Sequence, residues 1–233
     1  MLPLKDNVPT RRLPVVTIAI IAVNLAVWLL WEHAGSEPGF RHALADGAYF
    51  PCEVDSSCNG PGWPWPINAF SSMFMHAGWE HILGNMLFLW IFGNNVEDTF
   101  GRVRFVFFYL AGGLVATALQ SFVTLGFGSE QAAEVPNLGA SGAIAAVLGA
   151  YFILLPWGRV LTYIIPFFFF EIPAMVFLGL WFLFQLIEGG FAFVQPQAGG
   201  GVAFFAHIGG FLFGVLTVQA FASGRPKPLQ PSC

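Results

Sequence analysis

The chain reads as an all-α polytopic membrane protein, a bundle of six transmembrane helices with both termini in the cytoplasm. Three observations lead there. Apolar residues make up 56% and charged residues 9% of the 233 positions, and phenylalanine alone occurs 27 times, far from the usage of a soluble domain. Six long apolar runs are separated by Pro, Gly or charge, and a bilayer takes roughly 20 residues per crossing helix. Basic residues also fall on alternate connections, as the positive-inside bias requires of an even number of crossings. The same composition excludes a nucleic-acid binder, since the net charge is −4 and no basic cluster with interleaved aromatics occurs. The bilayer is the expected solvent and partner.

The runs predict helices at 13–34, 72–96, 104–125, 139–156, 168–188 and 201–222. The first, from Leu13 to Leu30, is too long for the apolar core of a cleaved signal peptide and has no small-residue cleavage site after it, so it stays as an anchor. Residues 1–12 form a cytoplasmic N-terminal segment, 13–222 the helical domain and 223–233 a cytoplasmic tail. The longest connection, 35–66, holds Pro, Gly and Asp and ends in Trp63-Pro64-Trp65-Pro66, whose aromatics favour a membrane–water interface. It also contains Cys52 and Cys58, at a spacing that a disulfide closes in an oxidising compartment; two free thiols are the alternative. The third cysteine, Cys233, ends the tail. No internal repeat is present.

With the N-terminus inside, Lys5, Arg11, Arg12, Arg102, Arg104, Arg159, Arg225 and Lys227 all lie on the cytoplasmic side and only Arg41 lies opposite. Helices two, four and six then begin at the outer face, and each carries a polar residue near its start. His81 and Asn85, four apart, share one face of helix two. Ser141 opens helix four within Gly139-Ala140-Ser141-Gly142, and His207 sits between Ala206 and Ile208 on helix six. Polar groups in hydrocarbon are costly and turn inward, where they find partners or do work.

Depth and lateral spacing bring these residues toward one site. From Ser141 to Pro156 is about 22 Å at 1.5 Å per residue in a core about 30 Å thick, which leaves Ser141 roughly 8 Å below the outer surface. Counted inward from Gly201, His207 lies about 9 Å down by the same rise. Small residues line one face of helix four (Gly142, Ala146, Gly149, Ala150) and one of helix six (Ala203, Ala206, Gly210, Gly214), the pattern that lets membrane helices approach closely. Packing those faces brings Ser141 and His207 together.

A serine hydroxyl needs a neighbouring base to act as a nucleophile, and imidazole titrates in the right range. No Asp or Glu shares the apolar run around His207, so the expected unit is a Ser-His dyad, with the ring oriented by packing and a lesser hydrogen bond. The oxyanion formed by attack on a carbonyl needs preorganised donors; the Ser141 backbone N–H at a helix N-terminus and the side chains of Asn85 and His81 supply them. Singly, each residue also fits a bland role, Ser141 as a packing residue, His207 as a proton relay, His81 and Asn85 as interhelical bonds. Their conjunction at one end of the bundle favours catalysis.

At these residues the sequence resembles the rhomboid family of intramembrane serine proteases. The resemblance runs from about Thr17 to Phe221 and rests on His76-Ala-Gly-Trp-Glu-His81-Ile-Leu-Gly-Asn85, Gly139-Ala-Ser141-Gly and Ala206-His207-Ile-Gly-Gly210 with Gly214. The stretch from Ile172-Pro-Ala to Trp181-Phe-Leu-Phe-Gln185 is similar to the family's fifth helix. The resemblance implies Ser141 as nucleophile, His207 as general base and Asn85 and His81 as oxyanion helpers; neither a cofactor nor a metal is expected. It implies substrates that are themselves transmembrane helices, a fifth helix that moves as a lateral gate, and a cap hinged near Gly199-Gly200-Gly201. One departure stands out: Ile67-Asn68 occupies the first-loop position where many members carry Trp-Arg.

Three rival readings are weaker. A catalytically inactive relative that binds transmembrane helices keeps the fold, but here Ser141 and His207 are both present. A proton-coupled transporter predicts repeated halves. A metallohydrolase predicts a His-Glu-x-x-His motif, whereas His76 and His81 are five apart. The orientation and the compact chain point to a bacterial inner membrane with the site toward the periplasm, and a eukaryotic secretory membrane is the alternative.

Overall fold

The computed structural model describes residues 1–58, 62–164, 168–194 and 203–230. The expected hinge at Gly199-Gly200-Gly201 and the terminal Cys233 lie outside these residues. The described chain is mostly helical. Strand β1 (Leu2–Asp6) leads into α1 (Val15–Ala26), which winds out through a π turn, Val27–Trp31. Next come α2 (Glu37–Gly47), α3 (Trp65–Ser71), α4 (Trp79–Phe100), α5 (Arg102–Phe127), the short α6 (Glu130–Ala133) and α7 (Ser141–Leu154). Strands β2 (Arg159–Ile164) and β3 (Phe168–Pro173) precede α8 (Ala174–Val194) and α9 (Phe204–Ala222). Among the described residues α5, α8 from Ala174 to Phe191, and α9 are long and apolar enough to cross a membrane, while Val15–Trp31 and α7 are shorter apolar helices.

Two expectations are corrected. The chain is not purely α: β1, β2 and β3 form an antiparallel sheet in that order, with Tyr163 opposite Phe169 and Val160 opposite Ile172. The run from 168 read as the start of a helix, yet 168–173 is strand: a short continuous apolar stretch fits either state, β2 supplies its partner, and Pro173, which lacks an N–H, ends the ladder. The 35–66 connection is also more than a loop. It holds α2, and Cys52 and Cys58 are joined in a disulfide with their Cα atoms 5.4 Å apart. Asn68, at the departing position, is fully buried and donates from Nδ2 to the Trp63 carbonyl at 2.8 Å, fastening this loop from within.

The centre of the bundle is the packing of α7 on α9 and of both on α5. A methyl added at Gly210 would fall on the Gly142 carbonyl oxygen, one at Gly214 on the Ala146 carbonyl oxygen and one at Gly149 on the Phe211 carbonyl oxygen. Backbone therefore meets backbone along the small-residue faces read from the sequence. Around this core an outward belt remains apolar, including Phe107, Phe122, Leu180, Leu183, Phe184 and Leu216, as a lipid-facing surface requires.

Buried polar ties hold the periphery. The Glu97 carboxylate on α4 accepts from the Val16 N–H at 3.0 Å, the Thr17 N–H at 2.7 Å and the Thr17 hydroxyl at 2.8 Å. It satisfies donors that the first turn of α1 leaves open and places a negative charge at the positive end of that helix. The Tyr151 hydroxyl donates to Asp6 Oδ2 at 2.6 Å, tying β1 to α7. Arg104 donates to the carbonyls of Phe221 and Ser223 at the end of α9.

Candidate active site

Ser141 is the first residue of α7, and the strand of chain before it is held on both sides. The Asn137 N–H donates to the Tyr49 carbonyl at 2.8 Å, and the Gly139 N–H to the Ser72 carbonyl at 2.8 Å. Gly139 has φ +123°, a region that favours glycine, and a methyl there would sit 2.8 Å from His81 Nε2 and 3.7 Å from Ser141 Oγ. Only a residue without a side chain lets the His81 ring come so near the serine.

His207 lies in the first turn of α9. Its Nε2 is 2.8 Å from Ser141 Oγ, and its Nδ1 is 2.8 Å from Gln185 Oε1 on α8. The Trp181 ring, one turn earlier on α8, packs against the imidazole with centroids 5.8 Å apart. On α4, His81 Nδ1 accepts from the Ala77 N–H at 3.3 Å, which leaves Nε2 to carry the ring proton. Asn85 is buried, and its Nδ2 has no partner among the described residues. His76 stands behind His81, with ring centroids 5.1 Å apart edge to face, and its backbone N–H donates to the buried Glu32 carboxylate at 2.9 and 3.2 Å. Glu32 thereby fastens the end of the first helix to the loop that leads into α4.

These groups open onto one cavity of about 620 Å³, lined by Ser141, His207, His81, Asn85, Trp181 and, from α2, Phe40 among others. All four sequence-predicted side chains thus meet in one place, together with the Ser141 N–H, which has no partner within its helix. A hydroxyl bonded to an imidazole, facing donors across one cavity, is arranged for acyl transfer. Among the described residues no group of three or more His, Cys, Asp or Glu converges to hold a metal ion.

The family model described as the rhomboid domain matches residues 65–223, which carry Ser141, His207, His81 and Asn85. The chain belongs to the rhomboid family. Presenilin-associated rhomboid-like protein, mitochondrial, of Bos taurus is 29% identical over 204 residues, 84% of this chain and 46% of that protein. Rhomboid protein 1, mitochondrial, of Saccharomyces cerevisiae is 30% identical over 202 residues, 85% of this chain and 51% of that protein. Rhomboid protease GluP of Bacillus subtilis is 31% identical over 137 residues, 59% of this chain and 24% of that protein. The chain spans about half the length of the first two relatives. The expected location in a bacterial inner membrane is corrected by the names of the relatives matched over 84% or 85% of this chain, which are mitochondrial proteins.

Gln185 was missed as a site residue, although it stood within the stretch resembling the family's fifth helix. The signal was there: an amide in an otherwise apolar run, like His81 and Asn85, is costly in hydrocarbon without a partner.

Proposed function

We propose that this rhomboid is an intramembrane serine protease that hydrolyses peptide bonds in or near transmembrane segments of membrane-protein substrates. The observation that carries the reading is the 2.8 Å contact between Ser141 Oγ and His207 Nε2 at the wall of the cavity. Ser141 is the nucleophile. His207 takes its proton during attack and returns it to the leaving amine. The oxyanion sits against the Ser141 N–H, the free Asn85 Nδ2 and the His81 Nε2–H. Six crossings, by α1, α4, α5, α7, α8 and α9, put residues 1–12 and 223–233 on the side carrying most basic residues and the cavity toward the other. The names of the relatives that match most of this chain favour a mitochondrial membrane.

The test is cleavage of a single-span substrate by the purified protein in liposomes, beside Ser141→Ala and His207→Ala. Cleavage by the natural chain alone, with fluorophosphonate labelling that Ser141→Ala abolishes, supports the reading. Equal inertness of all three folded proteins supports a helix-binding relative without catalysis, and cleavage by Ser141→Ala refutes the nucleophile.

A further inference from the structure

We infer that Gln185 is the positioning residue of this site: its side-chain carbonyl selects the tautomer of His207 that presents a bare Nε2 to Ser141. The inference rests on reading Ser141 and His207 as nucleophile and base. Gln185 is 4% exposed, and its Oε1 lies 2.8 Å from His207 Nδ1. The two ends of an amide are alike in shape, so its orientation must come from its partners. Here the other end decides. Gln185 Nε2 is 3.3 Å from the Trp181 carbonyl one turn back on α8, and a carbonyl only accepts. The NH2 therefore points to Trp181 and Oε1 to the imidazole. An amide oxygen also only accepts, so Nδ1 must carry the hydrogen. A neutral imidazole has one ring hydrogen, which leaves Nε2 with its lone pair 2.8 Å from the Ser141 hydroxyl.

The reversed amide would do the opposite. With NH2 facing the ring, Nδ1 would accept, Nε2 would carry the hydrogen, and the ring could not take the serine proton. It would also bring Oε1 against the Trp181 carbonyl, two acceptors with no hydrogen between them. A bond that Gln185 makes to its own helix thus determines whether a histidine on another helix can be a base.

The same contact serves the reaction. As Ser141 Oγ bonds to the substrate carbonyl carbon, its O–H breaks, the proton passes to Nε2, and the carbonyl π pair moves onto oxygen. The ring is now a cation whose Nδ1–H still points at the negative end of the Gln185 dipole. A carboxylate there would hold the cation more strongly, but at the cost of a charge in hydrocarbon; the neutral amide orients the ring without it. The groups around the ring are His81 from α4, Ser141 from α7 and Trp181 beside Gln185 on α8, with Glu80 at the cavity wall and Glu188 three residues further along α8. Among the described residues no carboxylate bonds to His207.

The test is the pH profile of substrate cleavage in liposomes for the natural chain, Gln185→Met, Gln185→Glu and Ser141→Ala. Cleavage by the natural chain and none by Ser141→Ala establishes the dyad before Gln185 is judged; without that result the dyad fails and the inference falls with it. Gln185→Met should lower kcat about tenfold, the size of one neutral hydrogen bond, leave KM within about twofold, and move the acid limb to lower pH because the imidazolium loses its acceptor. Gln185→Glu, which accepts the same hydrogen, should restore most of kcat and move the acid limb upward by about one unit. A natural kcat and an unmoved limb in Gln185→Met would overturn the inference. Should Gln185→Met fail to fold, a Gln185→Glu protein with an unmoved acid limb overturns it equally.

Discussion

Gly210→Ala isolates the link between backbone packing and the proposed Ser141–His207 dyad. Gly210 lies three residues after His207, so the two share a face of α9, and its partner, the Gly142 carbonyl, lies next to Ser141. The added methyl would fall deep inside the contact distance of that oxygen and 3.1 Å from Ala145 Cβ. Both obstacles belong to α7 rather than to a flexible side chain, so the helices must part by on the order of 1 Å to restore ordinary contact. The Ser141–His207 separation, 2.8 Å in the native packing, would lengthen by a similar amount, past the reach of a hydrogen bond. A displacement of that size costs about 100-fold in rate, and overpacking costs about 1–3 kcal/mol of stability. Substrate cleavage and thermal unfolding in detergent read the two effects. Gly126→Ala on α5, where an added methyl meets nothing within 4 Å, is the control and should match the natural chain in both. If Gly210→Ala cleaves at the natural rate and unfolds at the natural temperature, the α7–α9 spacing does not set the dyad geometry and the argument fails.

Three further outcomes are expected. Glu97→Ala should destabilise the fold by about 3 kcal/mol, since it strips the acceptor from three buried donors on α1; a loss below about 1 kcal/mol in a denaturant titration would refute the cap. Burial pushes the Asp6 carboxyl up from 3.8 to about 6, against the opposing pull of its bond from Tyr151. A group that holds its proton more tightly when folded stabilises the fold at pH below about 4 and loses that contribution as pH rises through about 6. Asp6→Asn should therefore flatten the decline in stability between pH 4 and 6, and an unaltered slope would show that Asp6 is not its source. Joining α8 to α4 through Phe88→Cys and Phe177→Cys, whose native rings lie 6.3 Å apart, should block cleavage of a transmembrane substrate reversibly by reductant if α8 is the lateral gate; undiminished cleavage in the oxidised protein removes that role.

The membrane setting, the main helices and the four side chains that line the cavity were legible in the residues alone, because lipid marks each of them one position at a time. Hydrocarbon demands long apolar runs, and it makes a histidine, an asparagine or a serine among glycines conspicuous by cost. The small faces through Gly142 and Gly210 even indicated which helices touch, because nothing else lets backbones approach so closely. Whatever depends on two segments at once emerged only from their packing. Gln185 meets His207 across 22 positions of sequence, and the rotation of α8 that turns its amide inward is set by packing, not by the residues around it. The strand at Phe168–Phe170 was hidden because apolar runs are alike in helix and sheet until a partner strand supplies the ladder. The start of α4 at Trp79 rather than 72 followed from a loop that bonds to a distant carboxylate, as His76 does to Glu32. Periodicity within one helix carries no record of such contacts.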